Sequence, residues 1–415
     1  MFVAFFIILI DLIGFGIMMP IFAFYALNLG ASPALATVTM SLYALAMFFT
    51  MPILGRISDF YGRRPVLMLS MLGATAGYLI LANANSLWMV AVARAISGAM
   101  AGNLATAQAY MTDISKQQDR AKVMGLIGAA FGLGFILGPL LGSYLAGDDF
   151  ENANFVLPAY VSAALSFTAF LAVVFALPES LDKEHRDALR VAPKTNRLKE
   201  IIEIMRRPLA RKVILSGFIY NLAAGFFEAI FPIWVSYEGV ALISGPQGLA
   251  PFLLVVGITV AVMQGGVVGP LARRFGEHLL IKVGALGYGA GLIGIAVAAD
   301  RQQVWLVYLL MALVSGSSAL VMTSTQSLIS QRAGHTERGM VMGVFNSMGT
   351  LGRGVGTLLT GVVFTYICIH GSFYICALLM IGLFYLATIV HRDWSTADVV
   401  VNPELASGSG DKLVS

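Results

Sequence analysis

The chain has 415 residues, of which 58% are hydrophobic and only 12% are charged, and its mean hydropathy is +0.83. A water-soluble protein of this length could not bury so much apolar surface, so the composition excludes one and indicates a chain whose solvent is a lipid bilayer. The net charge of +4 does not indicate a nucleic-acid partner, because the positive charges are concentrated on one side of the predicted membrane.

Twelve apolar segments are each long enough to cross about 30 Å of hydrocarbon as an α-helix. The first resembles the core of a signal peptide but lacks a basic leader and a cleavage site, so we interpret it as an uncleaved helix. The pattern predicts an all-α membrane protein. The predicted spans are 2–27, 36–55, 66–83, 87–112, 118–146, 155–177, 209–237, 248–271, 280–298, 303–331, 338–366 and 370–391.

A long polar segment between the sixth and seventh spans divides the chain into two parts. We predict an N-terminal six-helix bundle over 1–178 and a C-terminal six-helix bundle over 209–391. The polar segment 179–208 is then a linker, and the Ser- and Gly-rich end of the chain, 392–415, is a flexible tail.

The Lys and Arg residues are strongly biased to the side of the linker. Of the 26, only Arg94, Arg301 and Arg353 fall elsewhere. By the positive-inside rule this side is cytoplasmic, together with both termini, the linker and the tail. The short termini and the lack of any Asn-x-Ser/Thr sequence favour the inner (plasma) membrane of a bacterium.

The two parts repeat the same short patterns in the same order, which predicts two related bundles with a binding site at their interface. The first match has an offset of 214 residues and the other two an offset of 218. The matching positions are Gly55, Asp59 and Gly62 with Gly269, Arg273 and Gly276, then Gln108 with Gln326, and Asp119–Gly125 with Glu337–Gly343.

The connection between the second and third spans has the polar sequence GRISDFYGRR, from Gly55 to Arg64. It predicts a tight turn in which Gly55 and Gly62 supply backbone freedom. Asp59 lies at a helix end, where it can cap a helix or bind Arg63, Arg64 or Arg120.

The pattern G-x-x-x-D-x-x-G-R-R closely resembles the loop between helices 2 and 3 of major facilitator superfamily transporters. The resemblance implies a latch for the outward-facing state, in which a loop arginine meets an acid at the end of the fourth span. Asp113 occupies that place in this chain. In the second half Arg273 replaces the aspartate, which argues against an equivalent latch there.

Three further motifs resemble those of drug:proton antiporters within that superfamily. They are Asp11-x2-Gly14-x-Gly16-x3-Pro20 in the first span, Arg94-x3-Gly98 in the fourth and Gly134-x3-Gly138-Pro139-x2-Gly142 in the fifth. The N-terminal half resembles the tetracycline exporters, and the C-terminal half is similar to the tetran-type branch, which has a glutamate in helix 7 and an arginine in helix 11.

The glycines of the fifth-span motif, Gly134, Gly138 and Gly142, are spaced at i+4. This spacing predicts a ridge of small residues that allows close helix contact at a bundle interface. Pro139 removes a backbone donor and can bend the helix. Gly352, Gly354 and Gly356 superficially resemble a phosphate-binding loop, but they lie in a membrane span without a preceding strand, which excludes that interpretation.

Four charged residues fall inside predicted spans, where each costs about 2.5–3.5 kcal/mol on insertion scales. Counted at ~1.5 Å per residue, Glu228 and Arg353 lie ~25 and ~22 Å deep, which predicts an ion pair. Asp11 and Arg94 lie ~14 and ~27 Å deep, so their direct pairing is less well supported. A structural role for all four charges, in holding the bundles together, is the alternative.

Proton coupling requires a buried group that can change its charge. No histidine lies in the interior of a predicted span; His370 is at an outer turn. Arginine does not titrate in the relevant range. By elimination, the candidate proton carriers are Asp11 and Glu228, with Arg94 and Arg353 as charged neighbours.

Aromatic and amide side chains on the first, fourth, seventh, tenth and eleventh spans are candidates for lining a substrate cavity. Tetracycline exporters have an aspartate before a tyrosine in helix 3, where this chain has Gly77 before Tyr78, and Tyr288 lies near their helix 9 acid. These departures argue against magnesium-tetracycline as the substrate. The cavity candidates are Tyr25, Asn103, Gln108, Asn221, Phe227, Trp234, Gln326 and Asn346.

These features predict a transporter and not an enzyme: a monomeric, proton-coupled efflux antiporter of small amphipathic organic compounds that works by alternating access. Neither a cofactor nor a metal site is expected. One alternative is an organic-anion or metabolite carrier in which Arg94 or Arg353 binds the negative group. An alternative of another class is a non-transporting membrane receptor or scaffold, against which the intramembrane carboxylates argue.

Overall fold

The computed structural model describes residues 2–115, 120–181, 197–332 and 338–401, and all regular secondary structure in these ranges is helical. Among them, 11 helices are long and apolar enough to cross a membrane. The eleventh predicted span, Arg338–Tyr366, is a further helix of 29 residues, made less apolar by its glycines, its threonines and Arg353. The expected all-α fold of two six-helix bundles is thereby confirmed.

The first six spans form the N-terminal half. The fourth span is interrupted by a turn at Ala101–Gly102 and therefore consists of two helices. Proline residues lie inside the first, second and fifth spans. The helices are Phe2–Asn28, Pro33–Tyr61, Arg63–Ala82, Leu87–Met100 with Asn103–Asp113, Arg120–Ala146 and Val156–Ala176.

The remaining spans form the C-terminal half, preceded by a short helix of the linker, Arg197–Arg206. The eighth span contains a π-helical turn, Met263–Val267, and follows a 3₁₀ turn, Pro246–Leu249. The helices are Pro208–Ser236, Ala250–Val262 with Val268–Phe275, Glu277–Asp300, Val304–Arg332, Arg338–Tyr366 and Gly371–Val401.

Two boundaries differ from those expected. The second span continues as a helix through Gly55 to Tyr61, so the predicted turn is reduced to the single residue Gly62. The last helix continues to Val401, because no helix-breaking residue follows the apolar run until the Asn402-Pro403 pair. Residues 182–196 of the predicted linker and 402–415 of the predicted tail lie outside the described residues.

The repeat in the sequence is also a repeat in the backbone. Gly62 separates the second and third spans with φ of +109°, and Gly276 separates the eighth and ninth spans with φ of +76°. This left-handed region is readily accessible only to glycine. The first span packs on the fifth and sixth, and the seventh packs correspondingly on the eleventh and twelfth.

The bundle has two ends, which we call the loop end, where Gly62, Asp113 and Glu179 lie, and the far end, where Gly147 and Gln247 lie. The two halves touch at the far end. The Gln247 N–H donates to the Gly147 carbonyl over 2.9 Å. Spans two and eleven, and spans five and eight, contact each other across the boundary between the halves.

Candidate functional site

Asp11 lies in the first span and receives a hydrogen bond from the fourth. The Asn103 Nδ2 atom donates to Asp11 Oδ2 over 3.3 Å. Asn103 is only 6% exposed and is the first residue of the helix that follows the interruption in the fourth span. A predicted cavity residue is therefore the neighbour of a predicted proton carrier.

Arg94 also lies in the fourth span, but it does not reach Asp11. Its guanidinium carbon lies 4.5 Å from the ring centroid of Phe22 and 4.4 Å from that of Tyr43. Two aromatic faces thus hold the cation in a cation–π arrangement. Its Nε atom has no hydrogen-bond partner among the described residues, and no ion pair joins Arg94 to Asp11 there.

Glu228 and Arg353 form the ion pair that their depths predict. Arg353 Nη1 lies 2.6 Å from Glu228 Oε2, and Arg353 Nη2 donates to the Asn221 Oδ1 atom over 3.3 Å. The side chains of Arg353 and Glu228 are 33% and 34% exposed. The pair therefore joins the seventh and eleventh spans while remaining partly accessible.

Glycines bring the backbones of the first and fifth spans together next to Asp11. An added Cβ on Gly134 would lie 2.7 Å from the Leu12 Cβ, and one on Gly138 would lie 2.6 Å from the Gly16 Cα. An added Cβ on Gly142 would lie 2.2 Å from a carbonyl oxygen of the first span. The ridge thus contacts the first span of its own half, and not the other half as we expected.

The seventh and eleventh spans meet in the same way. A Cβ on Gly352 would lie 2.7 Å from the Phe218 carbonyl oxygen, and one on Gly356 would lie 2.1 Å from the Leu222 carbonyl oxygen. Gly352 and Gly356 follow Gly134 and Gly138 by the offset of 218 residues seen in the sequence repeat. Close helix contact is therefore the structural role of these glycines.

The predicted latch residues of the N-terminal half form one cluster at the loop end. Arg63 Nη1 lies 2.7 Å from Asp59 Oδ1, and Arg63 Nε lies 3.2 Å from Asp113 Oδ2. Arg63 Nη1 also donates to the Ser58 hydroxyl over 2.6 Å. Arg63 thereby connects the end of the second span to the end of the fourth.

Glu179 is a member of this cluster that the sequence analysis missed. Its Oε1 accepts from the Arg63 N–H over 2.8 Å and its Oε2 accepts from the Arg64 N–H over 3.1 Å. The carboxylate therefore caps the N-terminus of the third span. Its position beside Pro178 at the end of the sixth span resembled the beginning of the linker, which concealed this role.

The other predicted latch residues have different surroundings. Arg64 Nη2 donates to the Val174 carbonyl over 2.6 Å. Gly55 is helical, and an added Cβ would meet no described atom within 4 Å; backbone freedom is therefore required at Gly62 and not at Gly55. The side chain of Arg120 lies outside the described residues.

The C-terminal half has a polar contact at the place that corresponds to Arg63 and Asp113. Glu277 follows Gly276 as Arg63 follows Gly62, and Gln331 follows Asp113 by 218 residues. Gln331 Nε2 donates to Glu277 Oε1 over 2.7 Å, and the Ser327 hydroxyl donates to the same atom over 3.1 Å. We expected no equivalent latch because Arg273 replaces the aspartate, but a contact of inverted polarity joins the ninth and tenth spans.

Three cavity candidates lie in packed interiors in this conformation. The Tyr25 hydroxyl donates to the carbonyls of Leu81 and Ala84. Trp234 is fully buried, and its Nε1 atom donates to His370 Nδ1 over 3.1 Å. Phe227 is 8% exposed and is surrounded by aromatic rings of the C-terminal half.

The remaining candidates lie nearer the loop end or contact the charged groups. Asn103 contacts Asp11 and Asn221 contacts Arg353, as described above. Gln108 and Gln326, which correspond in the repeat, are half-buried, and Asn346 is exposed. These last three residues keep accessible side chains on the fourth, tenth and eleventh spans.

Two bundles of membrane-spanning helices with charged residues in their interiors define a secondary transporter. A family model described as Major Facilitator Superfamily matches residues 4–357, with a second match over 302–404. The chain belongs to the major facilitator superfamily, as the motifs indicated.

Similar proteins fit this assignment. The chain is 30% identical to the tetracycline resistance protein of class E from Escherichia coli, over 93% of this chain and 95% of that protein. The structure is similar to that of the human organic anion transporter MFSD10 (TETRAN), with a TM-score of 0.66 at 23% identity over 93% and 98% of the two chains. It is also similar to the nucleoside transporter NupG, with a TM-score of 0.75 at 13% identity over 94% and 98% of the two chains.

Proposed function

We propose that the chain exports small amphipathic organic compounds in exchange for protons, by alternating access between its two halves. The observation that carries the proposal is the contrast between the two intramembrane carboxylates. Glu228 is paired with Arg353, whereas Asp11 forms no ion pair among the described residues and contacts the neutral amide of Asn103. Asp11 is therefore free to change its charge without leaving a buried cation unpaired.

Elimination supports a carboxylate as the proton carrier. His370, the histidine nearest to a span interior, is bonded on both ring nitrogens, to Trp234 and to Asp300, and lies at the far end. Arginine does not titrate in the relevant range. A carboxylate that binds a proton at one face and releases it at the other couples proton entry to substrate exit.

Alternating access is supported by the faces that the two halves present to each other. Near the far end, Gly354 of the eleventh span contacts Ala44 of the second. Eleven residues nearer the loop end, which is about three helical turns and therefore the same face, the second span has Gly55 and the eleventh has Gly343. Neither glycine has a described atom within 4 Å of an added Cβ.

The fifth and eighth spans repeat this arrangement. Ile136 contacts Gly257 across the boundary between the halves. On the same face, nearer the loop end, Gly132, Gly128 and Gly125 have no described atom within 4 Å of an added Cβ. The four spans thus have small, uncontacted residues where a second closed state would bring the halves together.

The substrate class follows from the relatives and from two departures. Similarity to tetracycline resistance proteins favours an amphipathic organic compound. An added Cβ on Gly77 would lie 2.3 Å from the Ser97 hydroxyl, so the aspartate of tetracycline exporters does not fit there without movement. Tyr288 is 2% exposed and packs in the C-terminal aromatic core. A substrate without a bound metal ion is therefore favoured over magnesium-tetracycline.

The proposed location is the inner membrane of a bacterium, with the loop end and both termini in the cytoplasm, as a monomer. The concentration of Lys and Arg at the loop end supports this orientation. In the conformation described, the site would then open toward the cytoplasm, from which an exporter loads its substrate.

An organic-anion carrier is less well supported. Arg353 is neutralised by Glu228 at 2.6 Å, and an anionic substrate would have to displace that carboxylate. Arg94 remains as a cation without an acidic partner among the described residues, but two aromatic rings already cover it. A scaffold without transport activity would have no use for either buried charge.

Purified protein in proteoliposomes, assayed with and without an imposed pH gradient, tests the proposed function. We expect a cationic or neutral amphipathic dye to be concentrated only when the gradient is present. Equal accumulation without a gradient would exclude proton coupling, and preferential transport of a carboxylate dye would support the organic-anion carrier.

A further inference from the structure

The fourth span is discontinuous next to Asp11. Its two helices, Leu87–Met100 and Asn103–Asp113, are separated by Ala101–Gly102. An added Cβ on Gly102 would lie 2.9 Å from the Met51 Cα of the second span. Close backbone contact therefore holds the interruption in place, and interrupted helices are a recurring means of building ion sites in transporters.

Asn103 is the first residue after this interruption, and its side chain points to the first span. Its amide nitrogen donates to Asp11 Oδ2 over 3.3 Å while the residue is 6% exposed. A donor of this kind stabilises the carboxylate over the protonated acid. After rotation by half a turn, the same amide can offer its oxygen to the O–H of the protonated acid.

The other groups around Asp11 do not offer such a contact. Tyr43 of the second span and Tyr78 of the third interact electrostatically with Asp11, and both also interact with Arg94 of the fourth. The adjoining parts of the fifth span, 134–142, and of the sixth span, 162–166, contain no titratable side chain. Asn103 is thus the hydrogen-bond donor to Asp11 within the described residues.

We infer that Asn103 is a positioning residue that sets the proton occupancy of Asp11 and links it to the interruption in the fourth span. The inference rests on the proposed role of Asp11 as the proton carrier. When Asp11 binds a proton, its oxygen becomes a donor, the N–H contact is lost, and the Asn103 amide has to rotate. Because Asn103 begins the second helix of the fourth span, proton binding acts directly on the position of that helix.

Infrared titration of the carboxyl C=O band in detergent tests this inference without requiring transport. The band of Asp11 is identified by its loss in Asp11→Asn. In Asn103→Leu we expect the protonated band to persist to a pH about one to two units higher, since a hydrogen bond to a charged group of this strength is removed. Asn103→Gln, which keeps the amide, should restore most of the shift.

Thr106→Val is the matched control. Thr106 lies one turn further along the same helix, is fully buried, and its hydroxyl has no partner among the described residues. We expect its titration to equal that of the wild type. An unchanged midpoint in Asn103→Leu, or an equal shift in Thr106→Val, would overturn the inference; Asn103→Ala replaces Asn103→Leu if the larger side chain prevents folding.

The proposed function can fail independently of this inference. If Asp11→Asn still concentrates dye with unchanged pH dependence, Asp11 is not the carrier, whatever its titration shows. If Asp11 is the carrier but Asn103 does not position it, Asp11→Asn loses proton-driven uptake while Asn103→Leu keeps the wild-type pH profile of transport. A parallel shift of the infrared midpoint and the transport profile in Asn103→Leu supports both.

Discussion

Glu228 and Asp11 are both carboxylates inside the membrane, and the chain stabilises them by different means. Glu228 has a cation at 2.6 Å, so its charge is compensated. Asp11 has an amide at 3.3 Å, which supports the charged form without fixing it. Since a buried charge is costly when unpaired, the first arrangement favours a permanent charge and the second favours one that can be removed.

The Glu228–Arg353 pair makes a prediction about stability. Glu228→Gln and Arg353→Met should each lower thermal stability in detergent, because each leaves one partner unpaired. The cost for a fully buried pair is about 3–5 kcal/mol; here it is smaller, because about a third of each side chain is exposed. The double variant should regain much of the loss, and simply additive effects in this cycle would show that the two residues are not coupled.

The sequence predicted these charged residues better than it predicted their neighbours. Matching depths were sufficient for the Glu228–Arg353 pair, and unequal depths correctly argued against a direct contact between Asp11 and Arg94. The aromatic rings that hold Arg94 could not be found this way, because Phe22 and Tyr43 are apolar or weakly polar residues among many. Side-chain contacts between distant spans depend on helix rotation, which hydropathy does not report.

At the scale of elements, small residues decide where helices can approach. Gly138 contacts Gly16 in the N-terminal half, and Gly356 contacts the seventh span in the C-terminal half. Each contact lies within a few turns of a charged residue, Asp11 in one half and Arg353 in the other. The glycines thereby let polar side chains of neighbouring helices lie close to the bundle interior.

Gly138→Ala should lower both thermal stability and transport, because the added Cβ would lie 2.6 Å from the Gly16 Cα and the backbones would have to separate. Overpacking of this kind costs about 1–3 kcal/mol. Gly132→Ala is the control in the same helix, since its Cβ meets no described atom within 4 Å. We expect it to change stability by less than about 1 kcal/mol. Equal melting temperatures for the two variants would contradict the role of the ridge.

The loop-end cluster makes a separate prediction about rate. Asp59→Asn should slow turnover and leave folding nearly unchanged, because it removes one of the acids that hold Arg63 while Asp59 is 38% exposed. Glu203→Gln, at an exposed carboxylate of the linker helix, is the control. The measurement is initial transport velocity in vesicles that contain equal amounts of protein; a wild-type velocity in Asp59→Asn would remove the account of this cluster.

At the scale of the whole molecule, hydropathy and the internal repeat were enough to predict the spans and the two halves. The repeat is visible because each glycine-marked turn recurs at a fixed offset. The limits of helices were predicted less well, because polar helices continue beyond the membrane, as the second span does past Gly55 and the last span does to Val401. Which end of the bundle is closed could not be predicted, since the same residues serve both states.

Cross-linking can detect the second closed state. In a background without Cys368 and Cys376, the pair Gly55→Cys and Gly343→Cys should cross-link slowly in the resting protein, because these faces are apart in the conformation described. Substrate or a change of pH that closes the loop end should increase the yield. Thr37→Cys with Gly361→Cys, which are in contact at the far end, should respond in the opposite direction. Yields that never change in either pair would contradict alternating access.

Asp11→Asn provides the most direct test of the central claim, that proton binding at Asp11 drives export. The variant and the wild type are reconstituted, and two activities are measured in each: proton-driven accumulation of dye, and exchange of labelled for unlabelled dye without a gradient. An amide cannot carry a proton, so accumulation should be lost while exchange remains. Accumulation against a gradient with unchanged pH dependence in Asp11→Asn would contradict the account.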